Sequence, residues 1–573
     1  MTPTESRSGE SRRPKTLAVF TEWTGERYGG IPALSGGTGG TFRMSYTELR
    51  DEVREIGRRL VSLGVAPGDR IGILSETRPE WTLTHFAAFA AGAVVVPVYP
   101  TAGEEEVVWV LGDSGAVAVI CEDGAQAARV EAVRDRLPAL RDVLLLTELP
   151  LLPAPVDLPE LLGRAAAVKP GDLCSIVYTS GTTGPPKGCR LTHANLGAVL
   201  EANLDVVDGG PGDCTYLYLP LAHLLAQLIE FTTLMYGGEL AIFGGRIEDV
   251  VQELAEVKPT HLPSVPRLFE KIHSVVRSLA EAQEGGGARF DEAVRVGILA
   301  ADGALPPELA EDHAVYDQTL YSPVRAAFGG RLRSAVTGAA PIAPATMDFL
   351  RACGIPVYEG YGMTESGGVI ALNHPSANRP GTVGRAIAGC EITIAADEEV
   401  LARGPMVFPG YHANSEATAA ALDEDGWLHT GDLGALDADG YLTITGRKKD
   451  LIITSAGKNL SPSQVELAIA RSPYVAHAVM IGDHRPYPVA LITVDVEAVA
   501  GRDDVRQRVQ EAVDAANETV SRPARIRAFA ILEEDFTVGT GVLTPTLKVR
   551  RGRVQERYAK EIEELYGAGP EPR

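Results

Sequence analysis

The chain has 573 residues, 45% of them hydrophobic and 23% charged, which is too long for a peptide module and too apolar for a disordered one. Lys and Arg number 53 against 76 Asp and Glu, a net charge of −23. That balance argues against nucleic acid as a partner, because binding a phosphate backbone depends on basic surfaces that release counterions. It leaves small anionic ligands open, since these feel a local site and not the total charge.

The first fifteen residues are polar and basic with no apolar stretch behind them, and they read as a frayed tail, not a secretion signal. From Ser45 onward, Leu49, Val53, Ile56, Leu60 and Leu63 recur at spacings of four and three, one face of a helix. Ser45 and Glu48 form a capping box at its start, and Gly64 ends it. A strand over 69–74 follows, then helix 81–91 into strand 93–98, and helix 104–111 into strand 116–120. Short β-branched runs alternating with helices predict βαβ units and a largely parallel sheet, an α/β fold. The most apolar run, 86–99, is shorter than the ~20 residues of a spanning helix and contains Gly92 and Pro97, so no transmembrane segment is expected. Six cysteines (Cys121, Cys174, Cys189, Cys214, Cys353, Cys390) lie scattered with no Cys-x-x-Cys pair, which predicts free thiols in a reducing cytoplasm.

Past about residue 380 the pattern changes to glycine-punctuated strands at 391–394, 400–403 and 441–445, a smaller antiparallel or barrel-like part. Ser461, Pro462 and Gln464 read as a capped helix start. Strands at 479–481 and 489–494 with helices at 503–520 and 553–566 make a compact α+β unit. The expected division is a tail at 1–15, a large N-terminal domain at 16–448 and a small C-terminal domain at 449–573. A glycine-rich loop is expected at 285–287.

The strand ending at Tyr178 is followed by Thr179, Ser180, Gly181, Thr182, Thr183, Gly184, Pro185, Pro186, Lys187 and Gly188. Glycines let backbone N–H groups approach an anion, hydroxyls donate to phosphate oxygens, and Lys187 adds a point charge. This is a phosphate cradle, with a flexible surface turn as the alternative. It is not a Walker A loop, because Pro186 stands at the second glycine position and Gly188 at the Ser/Thr position.

With this loop the sequence resembles the adenylate-forming (ANL) superfamily, and the resemblance spans nearly the whole chain. Further motifs fall in that family's order: Pro220 to His223, Thr337 to Pro341, Tyr361 to Glu365, Gly426 to Asp432, Gly446 to Asp450 and Leu543 to Lys548. Arg447 to Asp450 with Ser455 to Asn459, and the ending from Leu543 to Arg551, are most similar to long-chain fatty acyl-CoA synthetases.

The resemblance implies an ATP-dependent ligase that forms acyl-AMP, releases pyrophosphate and passes the acyl group to CoA. The alternative is an acyl- or aryl-AMP ligase that loads a carrier-protein phosphopantetheine. By this likeness Lys548 bridges the carboxylate and the α-phosphate, Thr364 bonds that phosphate, Glu365 holds Mg²⁺, and His223 guards the acyl carboxylate. Tyr361 with Gly362 and the small run Gly338, Ala339, Ala340 would flank adenine, while Asp432 would take the ribose and Arg447 the ribose or a phosphate. Residues 179–184 and Lys187 would hold the phosphates, Gly457 would line the pantetheine tunnel, and Lys449 would be the hinge of a mobile C-terminal lid. On spacing alone, Lys548 reads as part of a solvated basic face with Arg550, Arg551 and Arg553, and His223 as a core histidine; the resemblance reverses the first reading and favours a role for His223 at the carboxylate. Cys189, Arg190 and the run after His223 depart from the usual pattern, and Gly367 with Gly368 reads as a loop or as an opening to the acyl channel. Acyl chain length, contact with a bilayer surface and the physiological acceptor stay open at this level.

Overall fold

The computed structural model describes residues 13–36, 42–179, 185–455, 458–537, 539–544 and 548–567. Most of the N-terminal tail therefore lies outside the described residues. The chain packs as two compact units, the first made of residues up to 178 with 188–250 and 408–413, the second of 179–187, 251–407 and 414–573.

The first unit carries a sheet in the order Asp142–Leu145, Ala118–Cys121, Arg70–Leu74, Val94–Val98, Leu173–Thr179, Lys187–Thr192, and its first five strands pair in parallel. Helices Pro79–Ala90, Glu104–Ser114 and Gly124–Glu131 form the crossovers, as parallel neighbours require. A second set, Cys214–Leu217, Glu239–Ile242, Pro32–Gly36 and Phe42–Ser45, is parallel except for its last pair. Helix Tyr46–Ser62 starts at Ser45 with both bonds of the capping box in place, and it buries Leu49, Val53, Ile56 and Leu60. The apolar run 86–99 is core: Phe86, Phe89 and Phe231 pack ring against ring around a buried His85–Glu230 pair at 2.9 Å.

In the second unit, strands His261–Ser264, Ser334–Thr337 and Val357–Tyr361 run parallel and are extended by the short antiparallel pieces Ala371–Leu372 and Arg385–Ala386. The residues expected to form a glycine loop instead begin a helix: Gly285 is the N-cap at φ +66° and Gly286–Ala301 follows. A side chain at Gly286 would stand 1.8 Å from the Ala280 carbonyl, so the tight return from helix Pro266–Glu281 requires glycine there. His273, Phe290 and Phe349 stack between these helices and Pro344–Ala352.

The glycine-punctuated segments form a four-stranded antiparallel sheet in the order Glu391–Ile394, Glu399–Arg403, Leu428–Leu436, Leu442–Arg447. Beyond it, Val475–Ile481, Val489–Val494 and Phe529–Ile531 make a three-stranded sheet backed by helices Pro462–Ile469 and Val505–Glu518. Ser461 precedes the first of these helices but does not cap it with its side chain, because its hydroxyl donates to the Thr445 carbonyl at 3.0 Å. The last expected helix is two, Arg551–Arg557 and Ala559–Gly567, broken at Tyr558, whose ring packs on Phe536. All six cysteines are free thiols. Among the described residues no helix is long and apolar enough to cross a membrane.

Candidate active site

Strands Leu428–Leu436 and Leu442–Arg447 pair so that Asp432 stands directly opposite Arg447. Arg447 Nε donates to Asp432 Oδ1 at 2.8 Å, and the Tyr361 hydroxyl donates to Oδ2 at 2.6 Å. A carboxylate offers about four lone-pair positions, so the buried Asp432 keeps acceptor capacity on both oxygens while its orientation is fixed from two sides. Such a group can accept a vicinal pair of hydroxyls. Burial, with Asp432 adding to it, pushes the Tyr361 hydroxyl well above its ordinary range, so it remains a donor. Burial opposes the charge of Arg447, but Asp432, Asp450 and Tyr361 outweigh it and hold the guanidinium above its usual value.

Tyr361 ends a parallel strand, and the C-terminal edge of parallel strands is where α/β folds place ligands. The chain then reverses through Gly362, the short helix Thr364–Ser366, and Gly367 and Gly368 at φ +68° and +108°. Any side chain at Gly362 would come within 2.4 Å of the Gly368 carbonyl oxygen. This reversal buries Glu365 and leaves Thr364 at its rim. On the neighbouring strand, Gly338 lies so close to Gly360 that an added Cβ would sit 3.0 Å from its carbonyl, and Ala339 holds φ +67°. A non-glycine residue in the left-handed region is a stored strain of the kind found at ligand sites. Gly338, Ala339, Ala340, Tyr361 and Gly362 thus form two adjacent backbone turns.

Lys548 reaches the same region from the far end of the sequence. A narrow hairpin holds it: Arg550 N–H donates to the Val542 carbonyl at 2.8 Å, Thr544 N–H donates to the Lys548 carbonyl at 2.8 Å, and Leu543 bridges Val549. Val542 and Leu543 anchor this hairpin in an apolar cluster with Val479, Ile481 and Leu491. Just beyond it, Arg551 forms a bidentate pair with Glu466 at 2.7 and 2.9 Å. Lys548 is exposed at the surface, with protein close enough around it to displace part of its hydration. That loss of bulk water is the main cause that lowers its ammonium to about 8, with Arg447 adding to it and Asp432 and Glu365 opposing. Lys449 is lowered in the same way, by desolvation and then by Arg447.

Lys548, Glu365, Asp432, Arg447, Tyr361 and Lys449 therefore belong to one electrostatic neighbourhood in the second unit. Thr179 Oγ1 donates to the Lys187 carbonyl at 3.5 Å. Ser180, Gly181, Thr182, Thr183, Gly184 and Gly457 lie outside the described residues. His223 belongs to the first unit, where it is the N-cap of helix Leu224–Tyr236 and its Nδ1 accepts the Leu225 N–H at 3.2 Å. An accepting Nδ1 leaves the ring proton on Nε2.

Two residues were not apparent from the sequence. Glu399 accepts the Gly431 N–H and pairs with Lys448, contacts that depend on three strands coming together. Glu359, two residues before Tyr361 on the same strand face, is pushed up to about 7 by burial. A carboxylate beside the otherwise buried Val357 and Tyr358 was the available signal.

A model of the AMP-binding enzyme family matches residues 21–412, and one of the AMP-binding enzyme C-terminal domain matches 449–569. The long-chain-fatty-acid–CoA ligase FadD15 of Mycobacterium bovis is 40% identical over 559 residues, covering 91% of each chain. The peroxisomal long chain acyl-CoA synthetase 6 of Arabidopsis thaliana is 31% identical, over 94% of this chain and 84% of its own. Among solved structures, the anthranilate CoA ligase AuaEII in complex with anthranoyl-AMP aligns with a TM-score of 0.76 at 21% identity, covering 95% of this chain and 97% of that one. The Mycobacterium tuberculosis fatty acyl CoA synthetase aligns at 0.65 and 23%, over 96% and 99%. The two structural likenesses speak to the fold, and the family models and curated relatives to descent: the chain belongs to the AMP-binding enzyme family.

Proposed function

We propose that this protein is an AMP-forming fatty acid–CoA ligase. The observation that supports the reading is a likeness over nearly the whole chain, 40% identical to a long-chain-fatty-acid–CoA ligase, together with the electrostatic coupling of Lys548 to Arg447, Asp432 and Glu365. The carboxylate of the fatty acid attacks the α-phosphorus of ATP, the bond to pyrophosphate breaks, and acyl-AMP results. The CoA thiol then attacks the acyl carbon, and AMP leaves. Two anions must meet in the first step, so fixed positive charge is needed where negative charge develops. Lys548 supplies it, Thr364 donates to the same phosphate, and Asp432 and Arg447 hold the ribose. Thr179 to Gly184 and Lys187 cradle the phosphates, and Tyr361 with Gly338 to Ala340 encloses the base. By the same likeness His223 guards the acyl carboxylate.

Among the described residues no group of three or more His, Cys, Asp or Glu could hold a metal ion. Mg²⁺ commonly keeps several waters and takes one or two carboxylates plus substrate phosphates, a demand that the buried Glu365 fits. Bound there, Mg²⁺ would neutralise phosphate charge.

The two steps need different groups over one acyl-AMP, which assigns 449–573 to a swinging lid and Lys449 to its hinge. Proline at Lys449 fixes φ and is expected to freeze one pose. The K449P variant should retain one half-reaction and lose the other by at least tenfold, measured as pyrophosphate exchange and as CoA transfer from supplied acyl-AMP. Equal impairment of both would count against the hinge.

The six scattered thiols support a cytoplasmic setting, and collection of the substrate from a bilayer surface fits an apolar acid. The reading is tested by pyrophosphate exchange over fatty acids of graded length, followed by acyl transfer to CoA and to a carrier-protein phosphopantetheine. It expects exchange that rises with chain length and transfer to CoA. No exchange with any fatty acid, or transfer to the carrier alone, would overturn it.

A further inference from the structure

Asp432 and Arg447 are held by more than their own ion pair. Each has a chain neighbour, Gly431 and Lys448, and a single carboxylate on the adjoining strand binds both neighbours. Glu399 Oε1 accepts the Gly431 N–H at 2.9 Å, and Glu399 Oε2 accepts from Lys448 Nζ at 3.0 Å and faces His429 Nδ1 at 3.2 Å. The Glu399 side chain is 6% exposed, whereas Lys448 is 48% exposed and also pairs with Asp397 at 2.6 Å. Burial alone would raise this carboxyl, but Lys448, His429 and the Gly431 N–H together hold it below the ordinary carboxylate range, so the anion is the form present. The strands Leu428–Leu436 and Leu442–Arg447 also carry a register shift at residues 433–434, next to Asp432. The pairing of the Glu399 strand with Leu428–Leu436 shifts as well, between Glu399 and Leu401, so the two irregularities meet beside Asp432 and Glu399 ties the three strands together there through side-chain bonds.

We propose that Glu399 is a positioning residue of the nucleotide site: it sets the Asp432–Arg447 pair through Gly431 and Lys448, and through Lys448 it ties that pair to Lys449, the next residue in the chain. The inference rests on the adenylation reading of the site. Glu399 touches no reacting atom, so its loss should weaken nucleotide binding and leave the rate at saturation nearly intact.

The test measures AMP affinity by isothermal titration calorimetry for the wild type, E399Q, K448M and the control E391Q, together with KM for ATP, kcat and melting temperature. Glutamine keeps an acceptor for Gly431 but loses the charge that holds Lys448. A tenfold weaker Kd is expected for E399Q, equivalent to about 1.4 kcal/mol, with KM for ATP rising in parallel and kcat within threefold. K448M should weaken AMP about threefold, as loss of a partly exposed charge contact does. E391Q, at a 63% exposed carboxylate paired with Arg403 on the same sheet, should leave affinity unchanged. AMP binding within twofold of wild type in both E399Q and K448M would overturn the proposal, as would a lower melting temperature with unchanged affinity. If E399Q fails to fold, K448M decides alone. A wild type that binds AMP but exchanges with no fatty acid would defeat the acyl reading and leave this inference standing.

Discussion

Replacing Lys548 with alanine lowers fatty-acid-dependent pyrophosphate exchange by about 10²–10³-fold, the usual loss when one preorganised stabiliser of developing charge is removed. CoA transfer from supplied acyl-AMP should fall far less, because that step brings no second anion to the phosphate. The fold should survive, since the hairpin is anchored by Val542 and Leu543 and not by the lysine side chain. The same residue predicts a pH dependence. Its ammonium titrates at about 8 in the free protein, and only the charged form offsets anion repulsion. The ratio kcat/KM for ATP, which reports groups of the free enzyme, should therefore be constant below pH 8 and fall as pH rises through it. Lys449 is lowered as well and could add an alkaline limb of its own, whereas Tyr361 is raised and cannot. The K548R variant separates them, because a guanidinium does not titrate in this range. Whatever activity K548R retains should lose the limb near 8, and a limb that persists there would assign the titration to another group.

Replacing Asp432 with alanine should raise KM for ATP by about 10- to 100-fold, in line with the ~1.5–3 kcal/mol of a hydrogen bond to a charged group, because the Arg447 side chain is 38% exposed and water takes up part of its loss. The loss has two parts. The acceptors for the ribose go, and Arg447 Nε and the Tyr361 hydroxyl lose the carboxylate that both contact. The D432N variant keeps one acceptor and the side-chain shape, so its KM should lie between wild type and D432A. ATP saturation of the exchange reaction measures this, and a D432A value within threefold of wild type would remove Asp432 from the nucleotide site.

The α/β grammar was legible because its signals are local. Leu49 to Leu60 repeat with helical spacing, and the Ser45 and Glu48 pair that marks the helix start forms both expected bonds. Where a distant partner decided the outcome, local signals failed. The Ser461 hydroxyl serves Thr445 in place of its own helix, and the break at Tyr558 accompanies its contact with Phe536. The site divides in the same way. Asp432, Arg447, Tyr361 and Lys548 could be named from motifs, but their meeting depends on strand register and on an apolar hairpin anchored more than a hundred residues after Tyr361. Glu399 carries no motif that the sequence reading used, and its role emerges only when three strands are set side by side.

The most direct test follows the oxygen atoms. With ATP, CoA and a fatty acid labelled at both carboxylate oxygens with ¹⁸O, attack on the α-phosphorus leaves one labelled oxygen in the AMP that CoA displaces and the other in the acyl-CoA. Mass spectrometry should therefore find AMP heavier by one ¹⁸O and pyrophosphate unlabelled. Unlabelled AMP, or ADP as the product, would contradict adenylation at this site.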